Sequence, residues 1–181
     1  MNVAIIGTEE AARQFAKAAV SGTARSGHGT GEAAGDPPAI SLCGSEATAV
    51  MDAIDAIEEA LGAAAEPQPA ARLDRIDGTT DLETAVDGAD VVIETRGGDI
   101  ETVRDRLAAI EEEIGADAML GTCVDRAEMT AIAVGLERPG RAVGLSTVTT
   151  DGEPGVIEIV RADQTDNRTV ETAAGFVREL G

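Results

Sequence analysis

The amino-acid sequence predicts an α/β fold, a doubly wound and mainly parallel sheet with helices on both faces. Short apolar segments alternate with longer segments whose apolar residues recur at helical spacing. The short segments are rich in Val, Ile, Leu and Ala and show little polar alternation, as strands buried on both faces do. Because strand–helix–strand connections are right-handed crossovers, this order of elements builds a parallel sheet.

The N-terminal segment has the order strand, glycine turn and helix. Residues 2–6 form an apolar run that stops at Gly7, and residues 9–20 carry apolar side chains at helical spacing. Residues 21–38 are rich in Gly, Ser, Thr and Ala and contain two prolines, which predicts a flexible surface insertion. We expect this insertion to interrupt a single domain that spans residues 1–181.

The following segments repeat the alternation. Residues 39–43 form a second strand, and Ser45 caps a helix over residues 46–61 whose apolar side chains share one face. Residues 72–76 are predicted as a third strand, and residues 81–86 as a helical turn.

The second half of the chain continues in the same way. Residues 89–93 are strongly apolar, as in a buried parallel strand, and residues 99–114 have the apolar stripe of an amphipathic helix. The remaining predicted elements are strands at residues 118–122, 142–146 and 156–160 and helices at residues 126–134 and 165–180. Together these elements are typical of a Rossmann-like domain.

Composition limits the partners that the chain can bind. The 34 acidic and 14 basic residues give a net charge of -20, which repels nucleic-acid phosphates and anionic lipids. No apolar run has membrane-spanning length, and the N-terminus does not read as a signal peptide. We therefore expect a cytoplasmic, salt-adapted protein that binds a small molecule or a protein partner, with a homo-oligomer as an open alternative. Its two cysteines lie in no metal-binding motif, so no metal is expected.

The turn after the first strand lies where Rossmann-like domains bind a dinucleotide pyrophosphate, because the helix N-terminus offers free N–H groups. Gly7 keeps the first glycine of the GxGxxG pattern, but Glu9 stands at the second glycine and Ala12 at the third. A carboxylate at the second position opposes a diphosphate. In the alternative interpretation, Glu9 and Glu10 only stabilise the first turn of the helix.

The end of the second strand lacks the acid that binds the adenosine ribose. Cys43 occupies this position, and its distance in sequence from Gly7 exceeds the usual ~20 residues because of the insertion. Bound NAD and an empty cofactor site therefore both remain alternatives. Cys43 and Cys123 both lie at strand ends that face the crevice, which suggests a redox or thiolate role as a weaker hypothesis. In the strand order 3-2-1-4-5 they lie three strand spacings, about 14 Å, apart, which is too far for a disulfide.

Three segments resemble the NAD-binding domain of the 3-hydroxyacyl-CoA dehydrogenase family. They read DGADVVIE at residues 87–94, ERPGRAVGL at residues 137–145 and VIEIVR at residues 156–161. The resemblance implies hydride transfer between a 3-hydroxyacyl-CoA and NAD, with a histidine base that is held by a glutamate. Ser146 stands at the position of the histidine, and Glu158 matches the glutamate. A serine hydroxyl cannot serve as the base at neutral pH.

The resemblance also indicates which residues would contact the cofactor. These candidates are Gly7, Thr8, Glu9, Cys43, Glu94, Arg96 and Cys123. We expect Glu9 and Glu94 to make the crevice acidic, which suits a cationic or neutral ligand better than a phosphate.

Two functions follow from these observations. The first is a catalytically impaired module on the NAD-binding-domain fold, which binds a ligand or a protein partner. The alternative is an active NAD-dependent 3-hydroxyacyl-CoA dehydrogenase of fatty acid metabolism, an oxidoreductase that a separate chain completes. The family continues into a helical domain, and this sequence is expected to lack that domain because it stops at Gly181.

Overall fold

A single seven-stranded sheet organises the described part of the chain. The computed structural model describes residues 1–22, 38–63, 69–147 and 157–180. The strands are β1 (Asn2–Ile6), β2 (Ala39–Cys43), β3 (Ile76–Thr79), β4 (Val91–Glu94), β5 (Met119–Thr122), β6 (Ala142–Thr147) and β7 (Ile157–Val160). Their order in the sheet is β3-β2-β1-β4-β5-β6-β7, and only β7 runs antiparallel to its neighbour. The predicted Rossmann-like, mainly parallel sheet is confirmed.

Helices cover both faces of this sheet. They are α1 (Glu10–Gly22), α2 (Ala47–Ala63), α3 (Pro69–Leu73), α4 (Leu82–Val86), α5 (Ile100–Glu113), α6 (Arg126–Ala133) and α7 (Asn167–Leu180). Buried side chains of α1, α2 and α7 form one core, and those of α4, α5 and α6 form a second core on the opposite face. In the first core, Phe15 and Phe176 stack with their ring centroids 6.4 Å apart. No helix in the described ranges is long and apolar enough to cross a bilayer.

The third strand lies later in the chain than predicted. Residues 72–76 are expected as a strand, but α3 ends at Leu73 and β3 begins at Ile76. The buried Arg72 guanidinium donates a hydrogen bond to the Val20 carbonyl oxygen at 3.0 Å, which joins α3 to the end of α1. β3 itself reads Ile-Asp-Gly-Thr, so its sequence carries almost no apolar signal. This edge strand depends on its pairing with β2.

The predicted insertion at residues 21–38 also begins later, because α1 continues to Gly22. Residues 23–37 lie outside the described residues, as do residues 148–156.

A buried ion pair joins the end of α5 to the start of β6. The Glu111 carboxylate accepts hydrogen bonds from the backbone N–H groups of Glu137 at 2.7 Å and Arg138 at 2.9 Å. The Arg141 guanidinium lies 3.3 Å from the same carboxylate and donates to the Gly115 carbonyl oxygen at 2.8 Å. The ERPGR segment is therefore a structural clamp that sets where β6 begins.

The strand ends that form the candidate site lie in one row across the sheet. The successive register partners are Cys43, Ile6, Glu94, Thr122 and Gly144. β6 continues three residues beyond Gly144 to Thr147, so it projects past the end of β5.

Candidate cofactor site

The turn at Gly7 brings β1, β2 and β4 close together. Gly7 has a φ of 136°, and its N–H donates to the Cys43 carbonyl oxygen at 2.8 Å. A Cβ atom at this position would collide with the Thr95 hydroxyl and the Glu9 carboxylate. Thr95 is held in place because its own hydroxyl donates to the Ile6 carbonyl oxygen at 3.0 Å. Only glycine fits this turn without strain.

Glu9 folds back over this turn. Its Oε2 atom accepts a hydrogen bond from the Thr8 N–H at 3.0 Å. The neighbouring Glu10 points elsewhere, because it binds Arg13 at 2.7 Å and Gln14 at 2.9 Å. The hydrogen bonds from Arg13 and Gln14 lower the pKa of Glu10 below its usual value. Of these two acids, Glu9 covers the turn and Glu10 stabilises the first turn of α1.

The Glu94 carboxylate lies buried between two arginines at the end of β4. Its side chain is 1% exposed, and its Oε1 atom is 2.9 Å from Arg96 Nε and 3.0 Å from Arg106 Nε. Burial raises the pKa of Glu94, and the charges of Arg106 and Arg96 counteract that rise. The expectation that Glu94 makes the crevice acidic is therefore wrong, since two guanidinium groups outweigh its single negative charge.

Arg106 is absent from the residues that the sequence singled out. It lies in the second turn of α5, and it also donates to the backbone carbonyl oxygens of Arg96 and Gly97. Helical side chains lean toward the helix N-terminus, which here faces the end of β4. One signal could have identified Arg106. It is an arginine early in a helix that follows a strand ending in an acidic residue.

A small cavity of about 70 Å³ opens between the ends of β4 and β5. Glu94, Arg96 and Cys123 are among its lining residues, so the structure brings these three candidates together. Small-molecule sites usually measure ~300–1,000 Å³. The cavity is therefore too small to enclose a dinucleotide in this conformation. No cluster of metal-binding side chains occurs within the described ranges.

The two cysteines lie at the ends of separate strands. Neither cysteine forms a disulfide. Cys43 ends β2 and Cys123 follows β5, and strands β1 and β4 lie between β2 and β5 in the sheet. Burial raises the pKa of the Cys43 thiol, and burial together with the Glu94 charge raises that of Cys123 to about 11. Both thiols are protonated at neutral pH, which does not favour a thiolate or redox role.

Ser146 and Glu158 face each other on the antiparallel strands β6 and β7. Directly opposed residues have Cβ atoms about 4.5–5.5 Å apart, so these two side chains are neighbours. Gly144 allows this close pairing, because a Cβ atom there would lie 2.8 Å from the Cβ of Val160. The structure thus places the two predicted catalytic positions side by side, Ser146 two strands and Glu158 three strands away from Glu94.

Comparisons with known proteins identify the family that this chain resembles. The chain matches the family described as 3-hydroxyacyl-CoA dehydrogenase, NAD binding domain, over residues 17–181. It is 27% identical over 135 residues to 5-formyl-3-hydroxy-2-methylpyridine 4-carboxylate 5-dehydrogenase of Mesorhizobium japonicum, a match that covers 75% of this chain and 43% of that protein. It is 29% identical over 100 residues to the fatty acid oxidation complex subunit alpha of Idiomarina loihiensis, a match that covers 55% of this chain and 14% of that protein.

Solved structures show the same fold. The 3-hydroxybutyryl-CoA dehydrogenase of Escherichia coli K12 superposes with a TM-score of 0.83 at 24% identity, over 100% of this chain and 36% of that chain. A 3-hydroxyacyl-CoA dehydrogenase of Archaeoglobus fulgidus gives a TM-score of 0.70 at 27% identity, over 100% of this chain and 54% of that chain. The chain spans less than half the length of both curated relatives. From the match over residues 17–181, this chain belongs to the family of 3-hydroxyacyl-CoA dehydrogenase NAD-binding domains.

Proposed function

We propose that this chain is a non-catalytic member of its family, which acts as a module that binds a small ligand or a protein partner. The observation that carries the proposal is Ser146, which faces Glu158 at the position where the resemblance expects a histidine base. Oxidation of a hydroxyacyl group releases a proton as the hydride leaves, and a positioned base must accept that proton. The Ser146 hydroxyl is too weak a base for this step at neutral pH.

The crevice supports the same proposal. The family match begins at residue 17, after the glycine turn, so the part of the chain that would hold a pyrophosphate lies outside the match. In that part, the Glu9 carboxylate takes up the Thr8 N–H. At the end of β4 the single Glu94 carboxylate faces two guanidinium groups, so this cluster keeps a surplus positive charge. These features suit a small neutral or singly charged anionic ligand better than a dinucleotide.

Turnover of acetoacetyl-CoA with NADH tests this proposal. A general base contributes ~10²–10⁴-fold to the rate, so we expect the chain to turn over at least about 100-fold more slowly than an active family member assayed beside it. The Escherichia coli 3-hydroxybutyryl-CoA dehydrogenase is a suitable positive control. Turnover comparable to this control, and lost in Ser146→Ala, would contradict the proposal. Turnover that appears only with a separately expressed helical-domain chain would favour the alternative, a dehydrogenase completed by a partner.

A further inference from the structure

We propose that Glu9 is a specificity-determining residue, which excludes a dinucleotide diphosphate from the crevice by placing its own carboxylate at the start of α1. This inference rests on the proposed function, because it concerns the same crevice and states which ligands that crevice rejects. It predicts that NAD and NADP are both weak ligands of the unaltered chain.

The carboxylate already uses the backbone donor that an anion would need. Glu9 Oε2 accepts the Thr8 N–H at 3.0 Å, within the glycine turn and two residues before α1 begins at Glu10. Backbone N–H groups of such a turn and of the helix N-terminus that follows it bind a diphosphate in dinucleotide-binding proteins. A diphosphate must therefore displace Glu9 before it can accept the same hydrogen bond.

The carboxylate also fills the space above the turn. A Cβ atom on Gly7 would collide with Glu9 Oε2, so this oxygen lies directly over the glycine backbone. The role of glycine in such a turn is to let a diphosphate approach the backbone closely. Here the Glu9 side chain, and not a ligand, makes this close approach to the Gly7 backbone.

Among the described residues, the arginines around the turn lie beside carboxylates. Arg13 binds Glu10 at 2.7 Å and the Thr8 carbonyl oxygen at 3.2 Å. Arg96 and Arg106 both face the Glu94 carboxylate. A diphosphate would therefore meet the negative charge of Glu9 first, while the surplus positive charge of Arg96 and Arg106 lies on guanidinium groups that face Glu94.

Glu10 provides a matched control for Glu9. Both are acidic residues at the start of the same helix, and both are exposed. Both carboxylates would interact favourably with the helix dipole, and to a similar extent. Only Glu9 covers Gly7, so a difference between the two substitutions isolates the contact with the turn.

The test is NAD binding by isothermal titration calorimetry to the unaltered chain and to Glu9→Gly, Glu9→Gln and Glu10→Gln. We expect Glu9→Gly to bind NAD at least about tenfold more tightly, because both the charge and the obstruction are removed. Glu9→Gln removes only the charge, so its gain should be smaller and should shrink between about 0.15 M and about 1 M salt. Glu10→Gln should stay within about twofold of the unaltered chain. Thermal unfolding of each variant verifies that it is folded.

Two results would overturn the inference. One is Glu9→Gly binding NAD no more tightly than the unaltered chain, including the case in which neither binds measurably. The other is an equal gain in Glu10→Gln, which would indicate a general charge effect. These results are separate from the proposed function, because turnover by the unaltered chain contradicts that function whatever the affinity of Glu9→Gly for NAD.

Discussion

Removing the Glu111 carboxylate should destabilise the chain more than removing any exposed acid on the same helix. Glu111→Ala leaves the backbone N–H groups of Glu137 and Arg138 without their acceptor. It also leaves the Arg141 guanidinium buried without its counter-charge, since the Arg141 side chain is only 9% exposed. Arg141 keeps its hydrogen bond to the Gly115 carbonyl oxygen, so the loss is partial.

The magnitude follows from the burial of this pair. Breaking a buried ion pair by removing one partner costs about 3–5 kcal/mol. For a domain of ~150–250 residues each kcal/mol lowers Tm by about 2–4 °C, so Glu111→Ala should lower Tm by about 6–20 °C. Glu111→Gln keeps one carbonyl oxygen as an acceptor for a backbone N–H. It should therefore lower the free energy of unfolding by less than Glu111→Ala does.

Urea unfolding followed by circular dichroism, at a fixed salt concentration, measures the change. Glu112→Ala is the matched control, because Glu112 is the next residue of α5 and is exposed. Its effect should stay within about 0.5 kcal/mol. If Glu111→Ala and Glu112→Ala changed the free energy of unfolding equally, the clamp would not stabilise the fold and the reasoning would be refuted.

Two further predictions concern the buried side chains. In a Cys43→Ser background, Cys123 should react with iodoacetamide at pH 8 at least about 100-fold more slowly than the same thiol in urea, because only the thiolate reacts and burial raises its pKa to about 11. The rate of the Cys123 reaction should then rise as the pH approaches this pKa. If the folded and the urea-unfolded chain reacted equally fast at pH 8, the argument that burial raises the pKa would be contradicted. Phe176→Ala should cost about 3–5 kcal/mol in urea unfolding, since Phe176 is 1% exposed and stacks on Phe15. Met51→Ala, at a side chain that is 64% exposed, should change little, and an equal loss would refute the packing argument.

Local signals explain why most elements could be predicted. Asp81, Asp99 and Asp125 each cap the helix that follows, and in each case the side chain accepts a backbone N–H of that helix. Apolar runs such as residues 91–93 of β4 are recognisable because both faces of the strand are buried. β3 could not be predicted in this way, because its pairing with β2 holds a strand whose own residues are mostly polar and partly exposed.

The positions of the candidate-site residues could be predicted from the sequence, whereas the charges that surround them were harder to predict. Glu9 and Ser146 can be recognised as departures from a pattern because each stands at a fixed place in it. The partners of Glu94 could not be identified, since Arg106 reaches it from the next helix. Whether a carboxylate attracts or repels a ligand depends on such neighbours.

The sequence by itself determined most of the order of strands and helices, apart from α3 and β3, together with the carboxylate at Glu9 and the serine at position 146, because these depend on residue type and local periodicity. Only the tertiary structure decided that Arg106 reaches Glu94 and that Ser146 faces Glu158. The physical reason is that charges and hydrogen bonds act over distances of a few ångströms in space. Packing of the sheet brings residues within that range from elements far apart in the chain.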